Sequence, residues 1–196
     1  MRSKSARSLS RFVFALLACA SPSLAAQPYV QFVPWKILKP AQSPPSAPLI
    51  LYWLPATREE MKKSELLTAH DLSTYAMQCV AMIVVRPDDA ARIEKLAGED
   101  DLPIAVLIDA DGNEVARSTA RHGSLAIDEV ESMVGDELEE REIVADAMLD
   151  RARTLTSDGE RDEAVALYRK VLEQRCTCPR QARDAQRALK KLGVHQ

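Results

Sequence analysis

A chain of 196 residues with 29 acidic against 26 basic side chains has room for one folded domain and an appendage. Four of the basic residues lie in the first eleven positions, and without them the formal charge falls from −3 to −7. An acidic chain with interspersed charges is poorly suited to gripping nucleic acid or anionic lipid, which leaves protein or peptide as the expected partner.

Those four, Arg2, Lys4, Arg7 and Arg11, precede an apolar run over Phe12–Ala20 and the small residues of Ser23-Leu24-Ala25. The order is that of a cleaved secretory leader over residues 1–25. Its apolar run is shorter than the ~20 residues needed to cross a bilayer, so no membrane span is expected after cleavage. Leu16-Leu17-Ala18-Cys19 also resembles a lipoprotein box, a less favoured alternative because Arg11 leaves so short an apolar run before Cys19. The mature protein is expected in the periplasm or outside the cell. Residues 26–48 carry Pro28, Pro34, Pro40, Pro44, Pro45 and Pro48, which rules out a regular helix and predicts an extended, proline-rich linker. Two readings stand for its first half: a tether, or an arm whose Val30–Leu38 packs on the domain or on a partner. Ala41–Pro48 reads as plain linker.

Leu49–Leu54 is a continuous apolar run, expected as a strand buried on both faces. Thr57 with Glu60 forms the Thr-x-x-Glu capping box of a helix running through Met61, Leu66 and Leu67. That helix is expected to break near His70-Asp71, with Leu72, Tyr75, Ala76 and Cys79 on a further turn or short helix. Val80–Val85 predicts a second buried strand, and Pro87-Asp88-Asp89 caps a helix with Ala90, Ile93 and Leu96 on one face. After Leu102-Pro103 come a strand over Ile104–Ile108, an Asp-Gly turn within Asp109–Gly112 and a strand over Asn113–Ser118, the pattern of a hairpin. A calcium loop at Asp109–Gly112 is the weaker reading, because the downstream glutamate is missing. Alternating strands and helices predict an α/β fold, its sheet covered on both faces and closed by a helix from about Ala126 to Gly135.

The stretch Tyr52–Met61, YWLPATREEM, aligns without gaps to the pattern F-W-A-P-W-C-G-P-C-K, and Leu102-Pro103 takes the place of that family's apolar residue and proline. Over residues 49–136 the chain thus resembles the thioredoxin-like fold. The resemblance implies a cis bond before Pro103 and a groove, between helix start and proline, that binds extended peptide through its backbone. Trp53, Ala56, Thr57, Arg58 and Pro103 are its candidate binding residues. The redox cysteines are absent, and Thr57 and Glu60 stand in their places. The family's chemistry needs a thiolate whose pKa is lowered at a helix N-terminus and a second thiol to resolve the mixed disulfide. Thr57 has no histidine near it in sequence to activate its hydroxyl, and Glu60 carries no thiol, so no catalytic residue is expected here. The pair reads as a helix cap worth about 1 kcal/mol.

Residues 137–196 form an all-α pattern. Val144, Met148, Ala152 and Leu155 share a helical face, Asp158-Gly159 is a turn, and Ala164, Tyr168 and Val171 stripe a second helix. Pro179 opens a third, with Ala182, Ala185, Leu189 and Leu192 on one face and Gly193 as its stop. The spacing of Gly159, Ala164 and Tyr168 resembles the second helix of a tetratricopeptide (TPR) repeat, with departures at Arg151 and Pro179. One such TPR-like unit cannot bury its own face, so it must pack on the preceding domain, another copy or a partner.

Cys79, Cys176 and Cys178 remain after the leader, an odd number that allows one bridge and one free thiol. Cys176 and Cys178, in the loop before the last helix, are the candidate redox pair. Three structural readings stand beside that one: a local staple, a bridge from one of the two to Cys79, or a pair of half-buried thiols. Cys79, leading into an apolar strand, reads most simply as a buried thiol. His70, His122 and His195 have no ligand spacing, so neither metal nor cofactor is expected. The function expected is that of an exported, non-catalytic thioredoxin-like protein serving as a protein-binding or scaffold module. The alternatives are a thiol-disulfide oxidoreductase, or an accessory to one, using Cys176 and Cys178, and a structural component of an envelope assembly.

Overall fold

The computed structural model describes residues 32–39 and 42–194. The expected leader, Cys19 and the start of the arm, including Val30, lie outside them, as does His195. The organising strand is β2 (Leu49–Leu54), all six residues of which are buried. Side chains alternate across a strand, so Leu49, Leu51 and Trp53 enter one core while Ile50, Tyr52 and Leu54 enter the other. The same alternation splits β3 (Val80–Val84) and β4 (Ile104–Asp109) between the two cores. Each large aliphatic side chain fully buried in this way contributes about 1.5–3 kcal/mol.

With β1 (Lys36–Ile37) and β5 (Glu114–Thr119), the five strands form one mixed sheet in the order β1-β3-β2-β4-β5. β1, β3 and β2 run parallel, while β4 is antiparallel to β2 and β5 to β4. β1 arises from the arm. Val33 and Leu38 are buried in opposite cores, Trp35 donates its indole N–H to Leu66 O at 2.9 Å, and Val33 N donates to Leu67 O at 3.0 Å. Residues 32–38 therefore pack on their own domain, the second of the two readings, and are not free linker.

The helices are α1 (Glu60–Lys63), α2 (His70–Met77), α3 (Ala90–Ala97), α4 (Ile127–Asp158), α5 (Arg161–Glu173) and α6 (Pro179–Lys191). The first helix stops well before Leu66 and Leu67, which sit in a separate 3-10 turn. Ser64 is extended and its hydroxyl accepts from Leu66 N at 3.2 Å, a local bond that competes with helix continuation. α3 starts at the expected cap: Asp89 accepts from Arg92 N. At the hairpin, Asp109 Oδ1 accepts from the backbone N–H of Asp111 (2.9 Å) and Asn113 (2.8 Å), and Gly112 supplies the positive φ of 87°.

α4 departs most from expectation. It does not end at Gly135 but continues to Asp158, so the boundary expected between residues 136 and 137 falls inside one helix. Gly135 serves a close approach instead, since a Cβ there would meet the Tyr75 hydroxyl of α2 at 2.7 Å. The 32 residues of α4 span about 48 Å at 1.5 Å per residue. Its first half places Val130, Val134 and Leu138 in the sheet core, and its second half places Ala145, Leu149 and Ala152 in a separate core with α5 and α6. Gly159 closes it in the left-handed conformation, and Pro179 opens α6 at its first turn. Among the described residues, no helix is long and apolar enough to cross a membrane.

Candidate functional site

β2 delivers the chain through buried Pro55 to an exposed corner at Ala56–Glu59, where α1 begins. Thr57 Oγ1 accepts from Glu60 N at 3.1 Å, and Glu60 Oε2 accepts from Ala56 N at 2.8 Å. The two side chains thus satisfy backbone donors reciprocally, one residue removed from the usual capping-box pairing. Burial pushes the Glu60 carboxyl above its ordinary value, opposed by the N–H of Ala56, the Trp53 indole and the N–H of Thr57. Trp53 is fully buried and stacks at a tilt on Trp35, with ring centroids 5.5 Å apart. Its indole N–H makes no hydrogen bond of acceptable geometry, although it lies close enough to the Glu60 carboxylate to oppose that rise.

Leu54 pairs with Ile104, which sets Pro103 level with Pro55, at the turn that leads into α1. The Leu102–Pro103 bond is cis, and Pro103 itself is buried, its carbonyl accepting from Ala120 N at 3.1 Å. Arg58 reaches to the β3–α3 loop, where its Nη2 donates to Asp88 Oδ2 at 2.8 Å. Arg86 Nε donates to the other oxygen of Asp88 at 2.8 Å. Held by Arg86 foremost and then by Arg58, the exposed Asp88 carboxyl falls to about 2.

A groove of about 440 Å³ runs between α1 and the loop that follows β5. Ala56, Thr57, Glu60 and Lys63 form one wall, and Gly123, Ser124 and Leu125 the other. Of the five candidate binding residues, only Ala56 and Thr57 line it. Trp53 and Pro103 are buried, and Arg58 is engaged by Asp88. Glu60 was visible in the sequence as the capping partner. Ser124 and Leu125 belong to a loop without a motif, shaped by positive φ at His122 and Gly123.

No protein-family model matches the chain, and no curated protein matches it in sequence.

The cysteines lie elsewhere. Cys79 is bridged to Cys176, 97 residues later, with Cα atoms 5.7 Å apart. Cys176 and Cys178 are therefore not paired with each other, and Cys79 is a half-buried bridge member instead of a buried thiol. Cys178 is the free thiol. It is buried, its Sγ lies 3.8 Å from both Gln174 Oε1 and Thr177 Oγ1, and burial pushes its pKa up, which disfavours the thiolate. Cys79 directly precedes Val80, the partner of Leu49 at the entry of β2, whereas the groove lies beyond Leu54 at its exit. A six-residue strand, about 20 Å long, separates the two. Among the described residues, no cluster of three or more histidine, cysteine or acidic side chains is placed to hold a metal ion. The groove thus offers a carboxylate, hydroxyls and apolar surface, with no thiol near it among the described residues, which suits it to hydrogen bonding and apolar contact.

Proposed function

We propose that the protein is an exported thioredoxin-like module that binds an extended segment of another protein without redox chemistry. The observation carrying this reading is the closed Thr57–Glu60 cap, set beside an open groove and a strand's length from the nearest cysteine. The strand order, with two parallel and two antiparallel pairings, and Pro103 at the turn that leads into α1 support the fold assignment. Gly159, Ala164 and Tyr168, now at the turn and along α5, support a TPR-like assignment for the helical unit, which packs on the sheet domain through the shared helix α4. The leader supports export.

In this reading a bound segment lies along α1, its backbone bonded to the Ser124 hydroxyl and an apolar side chain set against Leu125 and Ile127. The test is a titration of the purified chain with an unfolded, reduced and alkylated polypeptide, followed by amide chemical shifts. Saturable shifts at Thr57, Lys63, Ser124 and Leu125, abolished by Ala56→Arg or Ser124→Arg, are expected. Binding that leaves these amides unmoved, or survives both substitutions at full strength, contradicts the groove.

A further inference from the structure

At the opposite end of β2 from the groove, a second cavity of about 420 Å³ opens between the arm, α3 and the β4–β5 turn. Small-molecule sites occupy roughly 300–1,000 Å³, so the space is of useful size. Pro44 and Pro45 of the arm form one wall, and Ile50, Leu96 and Ile108 form the other. Five polar side chains also line it: Ser46, Tyr52, Arg92, Lys95 and Asp109.

Tyr52 is only 7% exposed, and its hydroxyl forms no hydrogen bond with the described residues. A tyrosine this buried normally finds a partner for its O–H. Arg92 ties the arm to α3, its Nη2 donating to Gln42 O at 3.0 Å. Its Nη1 lies 3.1 Å from Asp89 Oδ2 but is directed out of line, and so is buried without a hydrogen bond. Lys95 is exposed at the rim and joins no ion pair among the described residues. Two acids stand nearby. Asp89 balances Arg92, and Asp109 has one oxygen engaged by Asp111 N and Asn113 N and the other by Asn113 Nδ2.

We propose that this cavity binds a small organic carboxylate, its apolar body between the arm prolines and Leu96 and its carboxylate accepting from the Tyr52 hydroxyl and the Lys95 ammonium. Of the charged groups that line the cavity, Arg92 and Lys95 outnumber Asp109 by one, which matches a monoanion and leaves half the charge of a dianion such as phosphate unmet. The apolar walls favour an organic body over a bare ion. The site is independent of the groove, because β2 separates them.

The test uses the full chain, with 1-naphthoate as probe and 1-naphthamide as its uncharged counterpart, followed by methyl chemical shifts of Ile50, Leu96 and Ile108. Saturable shifts with naphthoate are expected, with the amide about tenfold weaker or worse. Tyr52→Phe, which keeps the buried ring, and Lys95→Gln, at an exposed position, should each weaken naphthoate about tenfold. Ser124→Arg in the groove should leave it unchanged. Overturning results are absence of saturable shifts up to about 10 mM, equal affinity for acid and amide, or indifference to both cavity substitutions.

Discussion

The two ends of the central strand β2 have been given opposite treatments. At its entry, Leu49 pairs with Val80, and the adjoining Cys79 is bonded covalently to the loop between α5 and α6. At its exit, the chain turns through an exposed corner fastened by side-chain hydrogen bonds, the Thr57–Glu60 caps and the Arg58–Asp88 pair, beside a groove open to solvent. Cross-linking holds the sheet to the helical unit at one end, and the open groove lies at the other. A helix N-terminus of this kind would activate a cysteine, whereas the cysteines among the described residues form a bridge and a buried thiol elsewhere.

Breaking the fastened end should have the larger consequence. Replacing both Cys79 and Cys176 by serine releases a loop of nearly one hundred residues in the unfolded chain and should cost about 2–4 kcal/mol. Denaturant midpoints of the two proteins in the absence of reductant measure this, and adding reductant should affect only the parent. At the open end, Thr57→Ala removes the acceptor for Glu60 N and should cost about 1 kcal/mol, half or less of the bridge effect, by the same measurement.

The shared helix offers a smaller, double test. A Cβ at Gly135 would strike the Tyr75 hydroxyl at 2.7 Å but keep ordinary contact, 3.5 Å, with the ring carbon behind it. In a Tyr75→Phe background, Gly135→Ala should therefore stabilise by about 0.5–1 kcal/mol, and in the parent it should gain less or destabilise. Smallest in energy is the surface network at the groove's outer corner. The Asp88 carboxyl should titrate near about 2, with Arg86→Ala returning it toward its ordinary 3.8 further than Arg58→Ala does. Because its folded pKa lies below the unfolded one, its contribution is present above 3.8 and is lost as pH falls through about 2. Side-chain carboxyl shifts followed against pH read this directly.

How far these regions were legible follows from the kind of signal each carries. Continuous apolar runs at Leu49–Leu54 and Val80–Val84 revealed buried strands, and the Asp-Gly turn revealed the hairpin, because burial on two faces and positive φ leave strong local marks. β1 left none: two exposed residues, Lys36 and Ile37, pair only because Val33 and Leu38 beside them are buried by tertiary packing. Gly135 read as a terminator because nothing local tells a glycine that ends a helix from one that admits a neighbour's hydroxyl. At the groove, alignment located the corner but not the exposure, so Trp53 and Pro103 entered the candidate surface although they lie beneath it. The bridge was one of several open pairings, since sequence distance does not reveal that Cys79 and Cys176 come within 5.7 Å at Cα.

The most direct test of a fastened end and a redox-silent open end is a tryptic map of the unreduced protein, run beside an insulin-reduction assay. Peptide Ser64–Arg92 should be linked to Cys176–Arg180, Cys178 should take up alkylating agent only after unfolding, and insulin should not be turned over. A Cys176–Arg180 peptide carrying its own internal bridge, a free Cys79 and insulin turnover that disappears in Cys178→Ser would contradict the account and make the thiols the working site.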